Sequence, residues 1–399
     1  MKYLSKSPGT KGTIKQSAED FVVKEIIDTG IVLEPNRKYA PDELGKRENA
    51  ESKFAVLVLQ KKNWNTIQAL IAIAKKLGRG KKSISYAGTK DRRAMTVQLA
   101  SIYGANPEAL MRVHIKDISI NGAWLGDKIE LGSNIGNRFE IRIADCANPE
   151  NAGKVLEELA GVMPNYFGEQ RFGIRGNNAS IGMHLLRNEL KEAAMEFLTS
   201  TDGETDEEAV SARKELAESM DFAKALDAFP RYLAPERAML AHLSKHQNDF
   251  AGALRVVPRG VLIMFVHAVQ AKIFNEELDM RVANGDFDSA LRCAENFYGF
   301  PDTDRIASEG KFPAASIVGY DSEASKLNDY EQKILDAMQI KAQDFNIRSM
   351  PELSMRGSFR PILVNFKNMA YGIDNNDVKL SFELPTGAYA TVLLNEVIK

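Results

Sequence analysis

The sequence predicts an α+β fold in which a sheet-based domain is interrupted by a helical block. Two observations support this prediction. Strand patterns dominate residues 12–145 and return after about residue 350, whereas helical patterns dominate the residues between them. Strands at both ends with helices in the middle indicate that the two end segments build one domain and that the middle is an insertion.

The composition is that of an ordinary globular protein, with 44% hydrophobic and 27% charged residues in a chain of 399. No apolar run approaches membrane-spanning length, and the polar N-terminus lacks the apolar core of a signal peptide. Cys146 and Cys293 lie far apart without metal-ligand spacing, which favours reduced thiols. We therefore expect no membrane contact and a cytoplasmic location.

The first strand-rich part contains an extended pattern over residues 12–35 and the apolar run Phe54–Leu59, which is typical of a buried strand. Asn65 or Thr66 then provides a helix N-cap, since apolar residues follow at helical spacing up to Gly78. A strand followed directly by a helix is therefore expected here.

Further strands are expected at Gln98–Tyr103 and Ile115–Ile120. Leu125–Asp145 has the pattern of a hairpin-like pair of strands, with Gly132–Gly136 as the turn. Apolar and charged residues alternate in its second arm, so one face of that strand should be buried.

From about residue 149 the pattern becomes helical. The predicted helical segments are Pro149–Val162, Ile181–Ser200, Glu207–Leu226, Glu236–His246 and Val261–Asn284. After them, Arg360–Phe366 and the final stretch VKLSFELPTGAYATVLLNEVI return to β character.

The segment SYAGTKDRRAMTVQ, Ser85–Gln98, is the strongest candidate for a functional site. Residues of β type lead into a glycine, and Asp91 follows among the cations Lys90, Arg92 and Arg93. Because opposite charges favour the ionised acid, we expect Asp91 to be a carboxylate that can serve as nucleophile or base. The alternative is a polar surface turn in which Asp91 pairs with a neighbouring cation.

Charge is distributed unevenly along the chain, although the net charge is only −2. Between Lys53 and Lys116 there are thirteen Lys or Arg against two acids, whereas between Glu196 and Glu236 there are eleven acids against four Lys or Arg. A basic block beside a candidate site is the expected footprint of a surface that binds a polyanion. The alternative is that these lysines only keep the surface soluble.

The segment GRGKKS, Gly78–Ser83, superficially resembles a phosphate-binding loop. The pattern GxxxxGK[ST] requires glycine where Lys75 stands, and this segment follows a helix and leads into a strand, which is the reverse of the required order. A nucleotide-dependent enzyme is therefore the weaker alternative.

Seven stretches of the chain together resemble the TruD family of tRNA pseudouridine synthases. They are GTIKQSAEDFVVKE, KKNWNTIQAL, SYAGTKDRRAMTVQ, GNRFEIRI, PNYFGEQRFG, FVHAVQAKIFNEEL and LPTGAYATVLLNE. The elements AGxKDxxAxTxQ and NYFGxQRFG are the specific ones. One departure lies at Asn395, where the family commonly has arginine.

The resemblance implies a pseudouridine synthase catalytic domain, built on a mixed, largely antiparallel sheet from residues 1–164 and 351–399. Residues 165–350 would form the α-rich TRUD insertion domain. The implied activity is isomerisation of uridine to pseudouridine in tRNA, typically at position 13, without an organic cofactor or an obligatory metal. The implied partner is tRNA, and the protein is expected to be a monomer.

The resemblance also assigns site residues. The family's catalytic aspartate falls on Asp91, its conserved lysine on Lys15, and its NxF pair on Asn137 and Phe139, while Glu25 is carried over as a residue at the edge of the site. Lys15 would keep Asp91 ionised, and Phe139 would stack on the uracil.

Three of these assignments have structural alternatives of their own. Lys15 would otherwise be a solvated lysine before a strand, Asn137 an amide that flanks a turn, and Phe139 a core residue. A second class of function is also consistent with the basic block, namely a non-catalytic RNA-binding protein that uses the same surface.

Overall fold

The computed structural model describes residues 1–287, 291–294 and 311–399. The chain divides into two compact units. The first, which we call the sheet unit, contains Tyr3–Met163 and Leu363–Lys399. The second, the helical unit, contains Met1–Lys2 and the described residues of Pro164–Phe297 and Gly310–Ile362.

The first 164 residues contain eight strands and three α-helices. The strands are β1 (Thr13–Ile14), β2 (Phe21–Ile26), β3 (Phe54–Lys62), β4 (Ile84–Tyr86), β5 (Met95–Tyr103), β6 (Ile118–Leu125), β7 (Gly136–Ala144) and β8 (Val162–Pro164). The helices are α1 (Thr66–Lys76), α2 (Pro107–Met111) and α3 (Asn151–Leu159). Asn65 is the N-cap of α1, since its side chain accepts the backbone N–H groups of Ile67 and Gln68.

The middle of the chain is mostly helical. Its helices are α4 (Asn178–Leu186), α5 (Leu190–Thr199), α6 (Glu207–Ser219), α7 (Phe222–Ala228), α8 (Ala234–Leu243), α9 (Phe250–Arg255), α10 (Arg259–Asn284) and α11 (Asp329–Met338). Its strands β9 (Leu291–Ala294), β10 (Lys311–Ile317) and β11 (Ser358–Pro361) form a small antiparallel sheet.

Three of the predicted helical segments are shorter or divided in the structure, because single residues adopt the left-handed conformation. Ala160 (φ 47°) ends α3, Asn188 (φ 61°) separates α4 from α5, and Met220 (φ 53°) separates α6 from α7. Apolar periodicity continues through such breaks, since the next helix buries residues of the same kind.

The final segment contains β12 (Leu363–Asn365), β13 (Lys367–Asp374), β14 (Asp377–Pro385) and α12 (Ala390–Ile398). The β character predicted for the end of the chain is wrong beyond Pro385, because the last apolar run forms a helix. An apolar run that is buried on several sides does not reveal by its pattern whether it is a strand or a helix.

The sheet unit is built on a sheet of nine strands. Its central order is β13-β14-β7-β2-β5-β3-β6, with β1 paired to β7 and β4 paired to β5. The β2–β5 pair is parallel and the other pairs are antiparallel. The predicted α+β class and the mixed, largely antiparallel sheet are confirmed.

The predicted hairpin over Leu125–Asp145 is wrong. Its first arm, residues 126–131, forms no strand, because β6 ends at Leu125, and β7 lies between β2 and β14. Both sides of β7 are therefore already hydrogen-bonded, and alternation within a strand does not say which strands lie beside it.

The strand register lines up polar residues on one face of the sheet. Lys61 of β3, Thr96 of β5, Val23 of β2, Phe139 of β7 and Phe382 of β14 form one row across it. The next row contains Leu59, Gln98, Glu25, Asn137 and Leu384. We call this surface the Gln98 face.

Both faces of the sheet are covered by apolar groups. On the Gln98 face, Leu70 and Ile73 of α1 pack in one cluster with Leu57. On the opposite face, Leu99 and Trp124 pack in another cluster. The cluster around α1 thus covers the part of the Gln98 face that β3 and β5 form.

Two further observations concern the described part of the chain. None of its helices combines the length and apolar character needed to cross a membrane. Cys146 is a free, buried thiol, whereas the side chain of Cys293 lies outside the described residues.

The helical unit contains a buried ionic cluster. Glu277 and Glu331 are fully buried, and Arg281 is 1% exposed. The Arg281 guanidinium donates to Glu277 at 2.8 Å. Burial, with a smaller effect of the neighbouring Glu331 charge, raises the pKa of Glu277 to about 7.

We expect Glu277→Gln to reduce the pH dependence of stability. The folded carboxyl titrates near pH 7 and the unfolded one near 4.5, so the free energy of unfolding falls as pH rises between these values, by about 3 kcal/mol. Glutamine has no proton to lose, so the free energy of unfolding of the variant, relative to that of the wild type, should rise as pH rises over this range. Urea unfolding of both proteins near pH 5 and near pH 8 checks this; an equal difference at the two pH values would contradict it.

Candidate active site

Asp91 lies in residues 87–94, which connect β4 to β5. Tyr86 at the end of β4 pairs with Ala100, well inside β5. The connecting segment must therefore run back along β5 before Met95 enters the sheet. We call residues 87–94 the Asp91 turn.

Three buried side chains hold the backbone of the Asp91 turn. Gln98 Nε2 donates to the Gly88 carbonyl at 2.9 Å, the Thr66 hydroxyl accepts the Lys90 N–H at 3.0 Å, and Lys61 Nζ donates to the Asp91 carbonyl at 2.8 Å. All three side chains belong to residues that are fully buried. They come from β5, α1 and β3, so three separate elements determine the path of the turn.

A buried ion pair holds the turn from a fourth element. Lys90 Nζ lies 2.6 Å from Glu25 Oε2, and the two side chains are 5% and 1% exposed. The second oxygen of Glu25 accepts the Leu99 N–H at 2.9 Å. Glu25 therefore lies beneath the turn, and its carboxylate bonds Lys90, the residue before Asp91.

The structure brings Lys15 and Asp91 together. Lys15 Nζ donates to Asp91 Oδ1 at 2.9 Å, with side-chain exposures of 19% and 22%. The same ammonium lies 4.1 Å from the centroid of the Phe21 ring, within cation–π range. Lys15 has a left-handed backbone (φ 62°), which is uncommon for a residue with a side chain and is often found at functional sites.

The cations that neighbour Asp91 in sequence have other positions. Lys90 bonds Glu25, while Arg92 and Arg93 are exposed. Arg93 donates to the carbonyl of Lys15 at 3.3 Å. Asp91 thus has an ionic partner, Lys15, that lies 76 positions earlier in the chain.

Phe139 lies in the core beside this pair. Its ring is stacked on Phe382, with centroids 5.3 Å apart, and meets the edge of Phe21 at 6.3 Å. The residue is 5% exposed. In this conformation Phe139 supports the Phe21 ring below Lys15 and offers little surface for a base.

Two polar atoms of the Gln98 face lack partners. Asn137 Oδ1 and Thr96 Oγ1 are buried and have no hydrogen-bond partner among the described residues. Asn137 lies opposite Glu25 in the sheet, and Thr96 lies opposite Lys61. Since buried polar atoms normally have partners, this part of the face is incompletely satisfied by the chain itself.

Lys61 and Lys90 both hold the Asp91 turn, whereas the sequence placed Lys61 only in a basic block and Lys90 beside Asp91 as a possible partner of its carboxylate. For Lys61 a signal was present: it follows Leu57 and Leu59 at a period of two, which places it on the same buried face. Burial lowers the pKa of Lys61 to about 8, although the Asp91 charge acts in the opposite direction. For Lys90 the spacing carries no comparable signal.

No metal-ligand cluster is present among the described residues: nowhere do three His, Cys, Asp or Glu side chains come together as ligands would. The chemistry available at the turn is that of one carboxylate bonded to an ammonium group. Such a carboxylate can act as nucleophile or base.

Comparison with known proteins identifies the family. The family model for tRNA pseudouridine synthase D (TruD) matches residues 1–397. A protein from Methanosarcina acetivorans named "Probable tRNA pseudouridine synthase D" is 32% identical, covering 100% of this chain and 95% of that protein. A protein of the same name from Pyrococcus furiosus is 34% identical, with 100% and 98% covered.

A crystal structure from Methanosarcina mazei that carries the TruD name has a TM-score of 0.73 and 30% identity, and the match covers 100% of this chain and 96% of that one. The shared fold places the chain in the α+β class of pseudouridine synthases. More particularly, the chain belongs to the tRNA pseudouridine synthase D (TruD) family, so the resemblance noted in its motifs is confirmed.

We expect Glu25→Gln to destabilise the sheet unit by about 3 to 5 kcal/mol, because it leaves the Lys90 ammonium buried without a counter-charge. The double variant Glu25→Gln/Lys90→Met removes both charges, so its loss of stability should be smaller than that of the single variant. Urea unfolding of the two variants and the wild type checks this. A single variant as stable as the double variant would show that the ion pair does not hold the turn.

Proposed function

We propose that this protein isomerises uridine to pseudouridine in tRNA, at position 13, with Asp91 as the catalytic carboxylate. The observation that carries the proposal is the 2.9 Å contact between Lys15 and Asp91 on a turn fixed by buried side chains. Membership of the TruD family over the whole chain supplies the reaction.

In this proposal the sheet unit is the catalytic domain, and the helical unit is the TRUD insertion domain. The boundaries found from contacts, Met163 to Pro164 and Ile362 to Leu363, lie near the ends of the segments 1–164, 165–350 and 351–399. The substrate is tRNA, and the protein acts in the cytoplasm as a monomer, without an organic cofactor or a metal.

The reaction breaks the bond between N1 of uracil and C1′ of the ribose and forms a bond between C5 and C1′. A proton leaves C5 and N1 gains one, so no hydride or electron is transferred. Asp91 attacks the sugar, attacks the base, or assists elimination at the ribose; all three roles require its carboxylate in ionised form. The Lys15 ammonium favours that form and orients it.

Phe139 and Asn137 enter the proposal differently. Phe139 has no hydroxyl group, so the C5 proton passes to Asp91 or to water. Stacking of uracil on Phe139 requires its ring to become more exposed than the 5% seen here. Asn137, whose Oδ1 lacks a partner among the described residues, can accept a hydrogen bond from the base.

The RNA-binding surface in this proposal is a row of exposed cations that precedes β4 in the chain. These are Lys75, Lys76, Arg79, Lys81 and Lys82, at the end of α1 and in the 3-10 helix that precedes β4. All five are exposed. We call them the basic segment.

The members of the basic segment differ from other cations of the same block. Lys62 pairs with Glu19, and Arg112 with Glu108. Within the described chain, no member of the basic segment has a carboxylate partner. Unpaired exposed cations are available to phosphates, whose contacts help to offset the cost of taking the target base out of its stack.

We expect Asp91→Asn to abolish pseudouridine formation and to leave tRNA affinity largely unchanged, because the carboxylate does the chemistry whereas the basic segment supplies phosphate contacts. The measurements are the pseudouridine content of an unmodified tRNA and the dissociation constant from filter binding. The control is Asp117→Asn, an exposed position with a left-handed backbone that asparagine also favours. Product from the Asp91→Asn variant would refute the role of Asp91, and a wild type that binds tRNA without modifying it would indicate a non-catalytic RNA-binding protein.

We expect replacement of all five members of the basic segment by glutamine to weaken tRNA binding and to flatten its salt dependence. Each lost phosphate contact should reduce the slope of log affinity against log salt by about 0.7 to 0.9. The control replaces the five exposed lysines of the helical unit Lys191, Lys214, Lys224, Lys245 and Lys333, so the change in net charge is equal. Equal slopes in the two variants would mean that only net charge matters.

A further inference from the structure

We infer that Lys61 is a positioning residue for the reaction: its ammonium group holds the main chain of Asp91 and keeps a positive charge beneath the catalytic carboxylate. This inference rests on the proposed function for its kinetic readout, and it adds a residue that the family resemblance did not assign. The same lysine would otherwise be counted as one more member of an RNA-binding block.

The position of Lys61 excludes a role in binding RNA at the surface. It lies in β3 between β5 and β6, and its side chain is fully buried. Its direct neighbours across the sheet are Thr96 and Ile118, neither of which is charged. A phosphate cannot approach this ammonium without disrupting the sheet.

The bonding of Lys61 differs from that of the other buried lysines of the sheet unit. Lys90 is paired with Glu25, and Lys24 contacts two carboxylates, at 2.6 and 2.5 Å. Lys61 has no ion-pair partner within the described chain, and its hydrogen bond is the one to the Asp91 carbonyl at 2.8 Å. Burying an ammonium without a counter-ion disfavours folding, so this lysine is a poor choice for stability alone.

In this position Lys61 lies close to Asp91. It bonds the main chain of that residue from below, while Lys15 bonds the carboxylate from the partly exposed side. The Lys15 contact lies on the side from which a ribose or a base would reach the carboxylate. Lys61 does not compete with substrate, so its charge continues to favour the ionised carboxylate throughout.

The charged groups that act on Lys61 are Asp91 and Lys90, both in the turn. Burial lowers the pKa of Lys61 to about 8, so a protonated Lys61 is lost as pH rises through that value. If the charge of Lys61 supports catalysis, the rate should fall over the same range. Arginine at this position would keep its charge there.

The test compares Lys61→Met, Lys61→Arg and the control Lys24→Met. The control also removes a buried lysine from the same sheet, but from the opposite face, where Lys24 contacts Glu34 and Glu140. The measurements are the single-turnover rate at saturating tRNA, its pH profile, urea unfolding, and hydrogen exchange of residues 87–94.

We expect Lys61→Met to fold about as stably as the wild type, since removal of a buried ammonium without an ion-pair partner offsets loss of the hydrogen bond to the Asp91 carbonyl. It should react about 10- to 100-fold more slowly, as misplaced catalytic groups do. Its rate should lack the fall near pH 8, and its turn should exchange faster. Lys61→Arg should recover part of the rate at high pH. Lys24→Met should keep the wild-type rate and the wild-type exchange in the turn.

A wild-type rate in Lys61→Met, or equal losses in Lys61→Met and Lys24→Met, would overturn the inference. If Lys61→Met does not fold, the pH profile of the Lys61→Arg rate decides. A fall in rate near pH 8 identical to that of the wild type overturns the role of the Lys61 charge. A wild type that forms no pseudouridine would refute the proposed function instead. In that case, hydrogen exchange of residues 87–94 that is the same in Lys61→Met as in the wild type would separately refute the claim that Lys61 holds the turn.

Discussion

The position of Asp91 depends on a buried ion pair that does not include Asp91. Lys90 and Glu25 bond each other beneath the turn, and both are almost completely excluded from water. Burial of two opposite charges is tolerated when each is fully paired, whereas burial of one alone is strongly unfavourable. Because Lys90 directly precedes Asp91, this pair fixes the position of Asp91. The turn is held further by the Lys90 N–H, which donates to the Thr66 hydroxyl, and by Gln98, which donates to the Gly88 carbonyl.

Three ammonium groups surround the turn, and each has a different partner. Lys90 bonds a buried carboxylate, Lys61 bonds a backbone carbonyl, and Lys15 bonds Asp91 itself. Of the three, the Lys15 contact is partly open to water. In the proposed function it is the contact that lies open to substrate, while the other two keep the backbone in place, which is the preorganisation that efficient catalysis requires.

The same geometry explains why the basic block is heterogeneous. Strand β3 places alternate residues on opposite faces, so Lys61 is buried while Lys62 is partly exposed and pairs with Glu19. The basic segment lies in the last turn of α1 and the residues before β4, where its side chains are exposed. Charges that are close in sequence thus have three different roles. Lys61 bonds a buried turn, Lys62 forms a surface ion pair, and the basic segment forms an exposed cationic surface.

The sequence by itself determined the α+β class, most of the strands and the candidate pair Lys15 and Asp91. Periodicity reveals which residues are apolar on one face because side chains alternate strictly along a strand and repeat along a helix. Specific motifs indicated the family, which now has independent support. These signals are local, and each can be recognised without knowing what lies beside it.

Only the tertiary structure decided which elements meet. It placed β7 between β2 and β14 instead of in a hairpin, made Ala390–Ile398 a helix, and put Glu25 under the turn with Lys90. Partners such as Lys15 and Asp91 are 76 positions apart, and an alternating pattern specifies a face but no neighbour. The charge of a side chain is written in the sequence, but whether that charge is solvated, paired or buried beneath a carboxylate depends on packing between distant segments.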